Sequence, residues 1–429
     1  MQLSSATQHR FAWIAAAIAI AAYYPRYRHG GGVDVFSAAA ECLLRRQTPQ
    51  HCGDLIYAYP PFFALLFAPL QPIPAWLREA LWYLVLIGTL FASLRFCETL
   101  ARRLFPSEWS ERELATFRIL TFVLSLKFIL AVLENQAYDS IAVVLIILGV
   151  LALIDRHFIL GAASIAVAAA LKVTPLIFLP YLLFKRRFAA AAVFTTVFVV
   201  LSLLPDILLP SSGPSYAVVW VRDVLMPPFH LDLGPTNMVF WATDSPMNQT
   251  FRAAIVRYFS GVHQQQTSDA VLAIMRSRPF AIALDSVMSL YILGVGLVML
   301  KSWRHDRLIA VDAALLVVSA LLLTPVSSQS HFLALLLPYS LLAAATVKEP
   351  STRVFNAAML LLSFALATAT SSDLVGRSFT GWALWSNLPV YGTLVLVVPL
   401  TVLIWSERRK VNEDSPPAGP SAARPSNQL

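Results

Sequence analysis

Charge is what this chain is short of. Only 13% of its 429 residues are Asp, Glu, Lys or Arg, while 58% are hydrophobic; soluble domains carry roughly 25% charged residues. A water-soluble globule of this size could not be covered with so little polar surface, so lipid must take the place of water over much of it. Cysteine is scarce too. Three cysteines, Cys42, Cys52 and Cys97, cannot build a disulfide framework. Cys42 and Cys52 fall in one linker, where an oxidising compartment permits a bridge between them as readily as two free thiols. Absent as well are a Walker loop, GxGxxG, HExxH, a Cys-rich metal pattern and a Gly-x-Ser-x-Gly elbow, so no metal and no cofactor is indicated. The net charge is +8, yet no Lys/Arg run is interleaved with exposed aromatics, which argues against a nucleic-acid partner.

What is present is a series of apolar segments, at about 11–24, 75–93, 117–133, 137–154, 158–171, 174–184, 188–205, 279–300, 308–324, 332–347, 354–370 and 388–405. They predict an all-α polytopic membrane protein of about twelve transmembrane helices. Several fall below the roughly 20 residues of a perpendicular span, which requires tilt, local thinning or packing inside the bundle. With alternate linkers assigned to opposite faces, "RFCETLARRLFPSEWSERELATFR", "DRH", "KRR", "KSWRHDR", "KEPSTR" and "ERRK" share one side, which the positive-inside rule makes cytoplasmic. That sorting requires a tight hairpin bent at Lys172 to Pro175. A single integral-membrane domain is expected over 1–410, with a Pro/Ser/Ala-rich, disordered cytoplasmic tail over 411–429. The first apolar run reads as a span or, being short, as a cleaved signal peptide.

The other face receives two long linkers, about 25–74 and 206–278. In the first, Phe36, Ala39, Ala40, Leu43 and Leu44 repeat at helical spacing opposite Glu41, Arg45 and Arg46, as in an amphipathic helix lying on a membrane surface. The prolines of "YPPFFALLFAPLQPIP" argue against an uninterrupted span.

Polar residues gather on this same face. "LENQAYD" puts Glu134, Asn135 and Gln136 at the mouth between two apolar helices; capping a helix needs only one of the three, so substrate binding is the stronger reading. In "LKVTPL", Thr174 suits an N-cap and Pro175 the first helical position. Backbone N–H groups and the Lys172 ammonium would then act together on a phosphate. "SPMNQTFRAAIVRYF" offers Asn248 and Gln249, and Arg252 as a second, bidentate phosphate ligand. "TPVSSQSHF" adds Ser327, Gln329 and His331. Lys127 and Asp285 lie at similar depth in two spans and are expected to pair, structurally or functionally.

In order along the chain, "VDVF", "YAYPPFFALLFAPL", "ENQ", "GAASIAVAAALKVTPLIFLPYLL", "NQT" before an arginine and "PVSSQSHFLALLLP" resemble the motifs of family 87 glycosyltransferases, the polyprenol-phosphate-mannose-dependent members of the GT-C superfamily. The likeness runs from about residue 11 to 405. It implies a GT-C-like bundle in the inner (plasma) membrane that moves a hexose, commonly mannose, from a polyprenyl-phosphate donor to a lipid-linked or glycan acceptor at the extracytoplasmic face. Asp34 matches the aspartate of the first outer loop, which acts as catalytic base in GT-C enzymes; Lys172 matches the lysine of Lys-x-x-Pro. His331 matches the second histidine of a Ser-Pro-Val-Ser-Trp-x-His-His pattern. Ser328 and Ser330 replace that pattern's tryptophan and first histidine, and Glu134 stands where glycine is usual. The competing function is a transporter or flippase for an anionic lipid or solute, although transporters gather polar groups at the midplane and here they collect at one face.

Overall fold

The computed structural model describes residues 20–52, 57–226, 245–260, 273, 277–303, 305–368 and 370–413. The described residues form helices and turns with no strand. Most of the first apolar run, and with it the choice between span and signal peptide, lies outside them. The tail is helical to Glu413; the disorder expected beyond that point also lies outside.

Among the described residues, six helices are long and apolar enough to cross a membrane: Ala75–Leu104, Glu111–Glu134, Phe188–Leu208, Arg278–Lys301, His331–Lys348 and Leu388–Glu407. A seventh arises if Arg353–Thr368 and Ser372–Trp385, bent by 77°, count as one. Apolar segments short of a full span, Pro61–Leu70, Asp139–Ile154, Phe158–Leu171 and Thr174–Phe184, supply much of the interior. Lipid-facing side chains such as Ile207 and Leu290 stay about two-thirds exposed, at 65% and 68%, whereas Leu336–Lys348 is buried along most of its length.

The basic stretch expected as a linker between 93 and 117 is largely helical. Ala75–Leu104 and Glu111–Glu134 meet across a short turn, because Glu98 binds both Arg102 (3.1 Å) and Arg118 (2.9 Å) and neutralises the charge at their junction. A capping box starts the second helix: Ser110 N–H donates to Glu113 Oε2 at 2.8 Å, and Ser110 Oγ accepts from Glu113 N–H at 3.3 Å.

Four helices end in the same way. Arg46, Gln136, Arg156 and Arg186 all take left-handed φ, between 51° and 65°, just past a helix end. Each is spanned by a closing bond: Gln47 to Cys42, Ala137 to Val132, His157 to Ala152 and Arg187 to Leu182, all 2.8–2.9 Å. This is the Schellman closure, usually given to glycine. Three of the four positions are arginines, whose charge favours the negative end of a helix dipole. The turns at Gln136, Arg156 and Arg186 join Glu111–Glu134 to Asp139–Ile154, Asp139–Ile154 to Phe158–Leu171, and Phe178–Phe184 to Phe188–Leu208.

The amphipathic helix of the first long linker forms as Gly32–Leu44, burying Phe36, Ala39, Ala40 and Leu43 and leaving Leu44 exposed. Cys42 and Cys52 are disulfide-bonded, with Cα atoms 5.9 Å apart, so the bridge is formed and Cys97 is left as the buried thiol. His51 Nε2 reaches Asp223 at 2.7 Å, tying the two long linkers together. The Arg222 guanidinium beside Asp223 holds that carboxyl down at about 2.

The expected Lys127–Asp285 pair does not form. Lys127 donates instead to the Ala367 carbonyl, the end of a neighbouring helix being a nearer source of negative charge. Asp285 acts electrostatically on Arg252.

Candidate active site

The site is built from three chain breaks at one end of the bundle. After Glu111–Glu134, the left-handed Gln136 reverses the chain and Asp139 opens the next helix. After Phe158–Leu171, Lys172 leaves the helix with extended φ and ψ of −146° and 120°, and a 3-10 turn over Thr174–Ile177 follows. After Ile309–Leu323, the turn 324–330 leads into His331–Leu335. Tyr138 clamps the first break to the second, its hydroxyl donating to Leu171 O at 3.0 Å, while its ring stacks on Phe63 at 4.2 Å.

At this junction Lys172 Nζ is bonded to Asp139 Oδ1, and both side chains are largely buried. His331 lies close enough to interact electrostatically with both, and its Nδ1 accepts from the Ser328 N–H at 3.3 Å. A backbone hydrogen bond with Val326 also acts on the ring. Asp139, Lys172, Thr174 and His331 line one end of a cavity of about 40 Å³ whose other walls include Val143, Ile146, Phe178, Val317 and Leu321. A polar end and an apolar stem suit an amphiphile with a charged head.

Asp139 is the residue that the sequence reading missed. The signal was in "LENQAYD": a carboxylate opening a wholly apolar helix. At a helix start it passes for a favourable dipole partner, which hides its pairing with a lysine 33 residues on.

The other expected residues divide into groups. Asp34 is exposed in the first turn of Gly32–Leu44. That turn docks on the 134–138 turn, where Val33 N–H donates to Gln136 Oε1 at 2.7 Å. The glycines before it allow the approach: a Cβ at Gly30 would lie 2.2 Å from Glu134 O, and one at Gly32 2.5 Å from Asn135 O. Asp34 thus lies in the first turn of the helix that rests on the 134–138 turn, without lining the cavity itself.

Gln136 is consumed by structure, its amide donating to Tyr27 O at 3.0 Å while its own carbonyl accepts from Trp82. Glu134 pairs with Arg26 at 2.7 Å and accepts from Tyr23 at 2.8 Å. Asn135 is exposed and bonds back to Ala131 O. Thr174 is not the N-cap: Val173 holds that place and Thr174 opens the 3-10 turn with no side-chain cap, because the chain leaves Lys172 extended and tightens one residue earlier than Pro175 alone suggests.

Asn248 clamps the 325–327 turn, donating to Pro325 O at 3.0 Å and accepting from Ser327 N–H at 3.1 Å. Gln249 N–H donates to Ser327 O at 2.8 Å. These two therefore brace the loop that carries Ser327, Gln329 and His331. Arg252 is buried and in the field of Asp285; it is not among the residues lining the cavity.

The family profile of glycosyltransferase family 87 matches residues 57–325, which takes in Asp139, Lys172 and Arg252. The chain belongs to glycosyltransferase family 87. It is also 28% identical, over 324 residues, to the polyprenol-phosphate-mannose-dependent alpha-(1-2)-phosphatidylinositol pentamannoside mannosyltransferase of Mycobacterium tuberculosis. That alignment covers 74% of this chain and 65% of the relative, so the chain spans just under two-thirds of the curated protein it matches. For a family 87 glycosyltransferase the Asp139–Lys172–His331 junction is the candidate active site.

Proposed function

We propose that this family 87 protein is a membrane hexosyltransferase that moves mannose from a polyprenyl-phosphate donor to a glycolipid or glycan acceptor at the extracytoplasmic face. The observation that carries the reading is the cavity itself: a buried lysine, a histidine and a threonine end an apolar slot between helices, as recognition of a lipid phosphate requires. The donor of the mycobacterial relative, as its name gives it, is of that class.

In this mechanism Asp34, exposed in the first turn of the helix docked on the 134–138 turn, takes the proton of the acceptor hydroxyl as the C1–phosphate bond breaks. General-base assistance of this kind is worth roughly 100- to 10,000-fold. The leaving group is a phosphate monoester anion, and Lys172 stabilises its growing charge in surroundings of low dielectric. His331 hydrogen-bonds the donor or acceptor. Displacement in one step inverts the anomeric centre, so a β-linked donor gives an α-linked product.

The charges support the outward orientation. Asp139–Ile154 has 16 residues, so Asp139 and the opposite end are about 24 Å apart at ~1.5 Å per residue. At that opposite end Arg103 pairs with Asp155, and Arg156 and Arg187 share Asp306. This is the basic, cytoplasmic pole.

Purified protein in lipid nanodiscs, given labelled polyprenyl-phosphate mannose and membrane lipid extract, should release polyprenyl phosphate and label a glycolipid. Uncleaved donor carried across a sealed vesicle would instead establish a flippase.

A further inference from the structure

Lys172 is not waiting as an open cation. Its bonded partner among the described residues is Asp139, 6% exposed and on the wall of the same cavity. A buried carboxylate against a phosphate-binding lysine weakens anion binding, so its presence at this position calls for a physical account.

Resting on the reading above, we infer that Asp139 is a positioning and release residue that sets how strongly Lys172 holds the departing phosphate. The donor is a phosphodiester with one negative charge. The product is a monoester whose second charge appears above a pKa of about 6. A lone ammonium in a low-dielectric slot would hold the dianion more tightly than the monoanion, and the enzyme would be arrested by its own product. Asp139 opposes this in two ways. Its charge repels the doubly charged monoester more than the singly charged diester, and it recovers the ammonium when the lipid leaves, so the lysine is never buried unpaired. The carboxylate is suited to surviving alone while the lysine is engaged, because it is the first residue of the apolar helix Asp139–Ile154, where free N–H groups and the helix dipole favour a negative charge. Tyr138, bonded to Leu171 O, holds the two breaks in register so that the lysine has one place to return to.

The test is equilibrium binding to the full chain in nanodiscs, using a short-chain polyprenyl phosphate and its methyl diester as the two probes at neutral pH. In Asp139→Asn the monoester should bind roughly tenfold more tightly, with a much smaller change for the diester, the size of effect a single nearby like charge exerts. Asp139→Glu should restore the wild-type ratio. Turnover of Asp139→Asn should then be inhibited by added polyprenyl phosphate at correspondingly lower concentrations. Equal changes for both esters, or no change, would overturn the inference and leave Asp139 a structural counter-ion. If Asp139→Asn does not fold, the neutral pair Asp139→Asn with Lys172→Gln is compared with Lys172→Gln alone. Monoester affinity must be higher in the double variant, and equal affinities would overturn the inference. Failure of the wild-type chain to bind either ester would overturn the phosphate role of Lys172 itself, a result distinct from loss of the monoester preference.

Discussion

Arg257 is a case of a residue whose chemistry was visible and whose task was not. It lies in "NQTFRAAIVRYF" as one more surface-facing arginine, yet it is 3% exposed, with Nε 3.0 Å from Asn387 Oδ1 and a second nitrogen 2.9 Å from Asn248 O. The planar fork satisfies several acceptors at once, which an ammonium on a flexible stem does not. Arg257→Ala should therefore lower the thermal midpoint markedly, at a cost of roughly 1–3 kcal/mol for each acceptor left dry, and Arg257→Lys should not restore it. A thermal-shift series on detergent-solubilised protein checks both. Gln136, Asn248 and Gln249 have the same character: their types and turns were legible as polar groups at a mouth, but side-chain amides look alike in sequence whether they meet a substrate or a neighbouring backbone. Lys172 and His331 were legible because a cation and an imidazole at the end of apolar helices have few bland uses. Asp139 was not, because its bland use as a helix-start acid is common.

Among the elements, the run Gly30–Gly32 sets where the helix carrying Asp34 can rest. A Cβ at Gly32 would meet backbone, Asn135 O at 2.5 Å, and nothing there can swing aside. Gly31 has φ 71° but open space around it. Gly32→Ala should thus displace the helix start and reduce transfer well beyond its effect on stability. Gly31→Ala should keep activity and lose only about 1–2 kcal/mol from the left-handed conformation. Paired activity and thermal-shift measurements on the two variants separate these outcomes. The amphipathic helix Gly32–Leu44 and the break at Lys172 were readable because both follow from local period and proline placement. Helix ends were less so. The Schellman closures use Arg46, Arg156 and Arg186 in place of glycine, so their turns read as charge. The extension of Ala75–Leu104 past residue 93 depends on Glu98 finding Arg118 on another helix, a contact no local pattern carries.

For the whole molecule, composition alone settled that the chain is a helical membrane protein. Twelve apolar segments were legible, while the division of the described ones into six full-length apolar helices and shorter buried ones was not. A helix enclosed by others and a helix that crosses lipid are equally apolar, and only length and exposure tell them apart. The polarity of the bundle yields its own expectation. With Cys97→Ser as background and the Cys42–Cys52 bridge intact, a cysteine placed at Asn135 should react with an impermeant maleimide on intact cells. One placed at Arg186, exposed at the basic pole, should react only after lysis. The account as a whole makes Asp34, on the helix that docks against the 134–138 turn, the group that takes the acceptor proton. Its most direct test is the rate of mannosyl transfer by folded, membrane-inserted Asp34→Asn, normalised to the wild-type chain. A fall of roughly 100- to 10,000-fold, with donor binding retained, is the predicted result; transfer at the wild-type rate would contradict it.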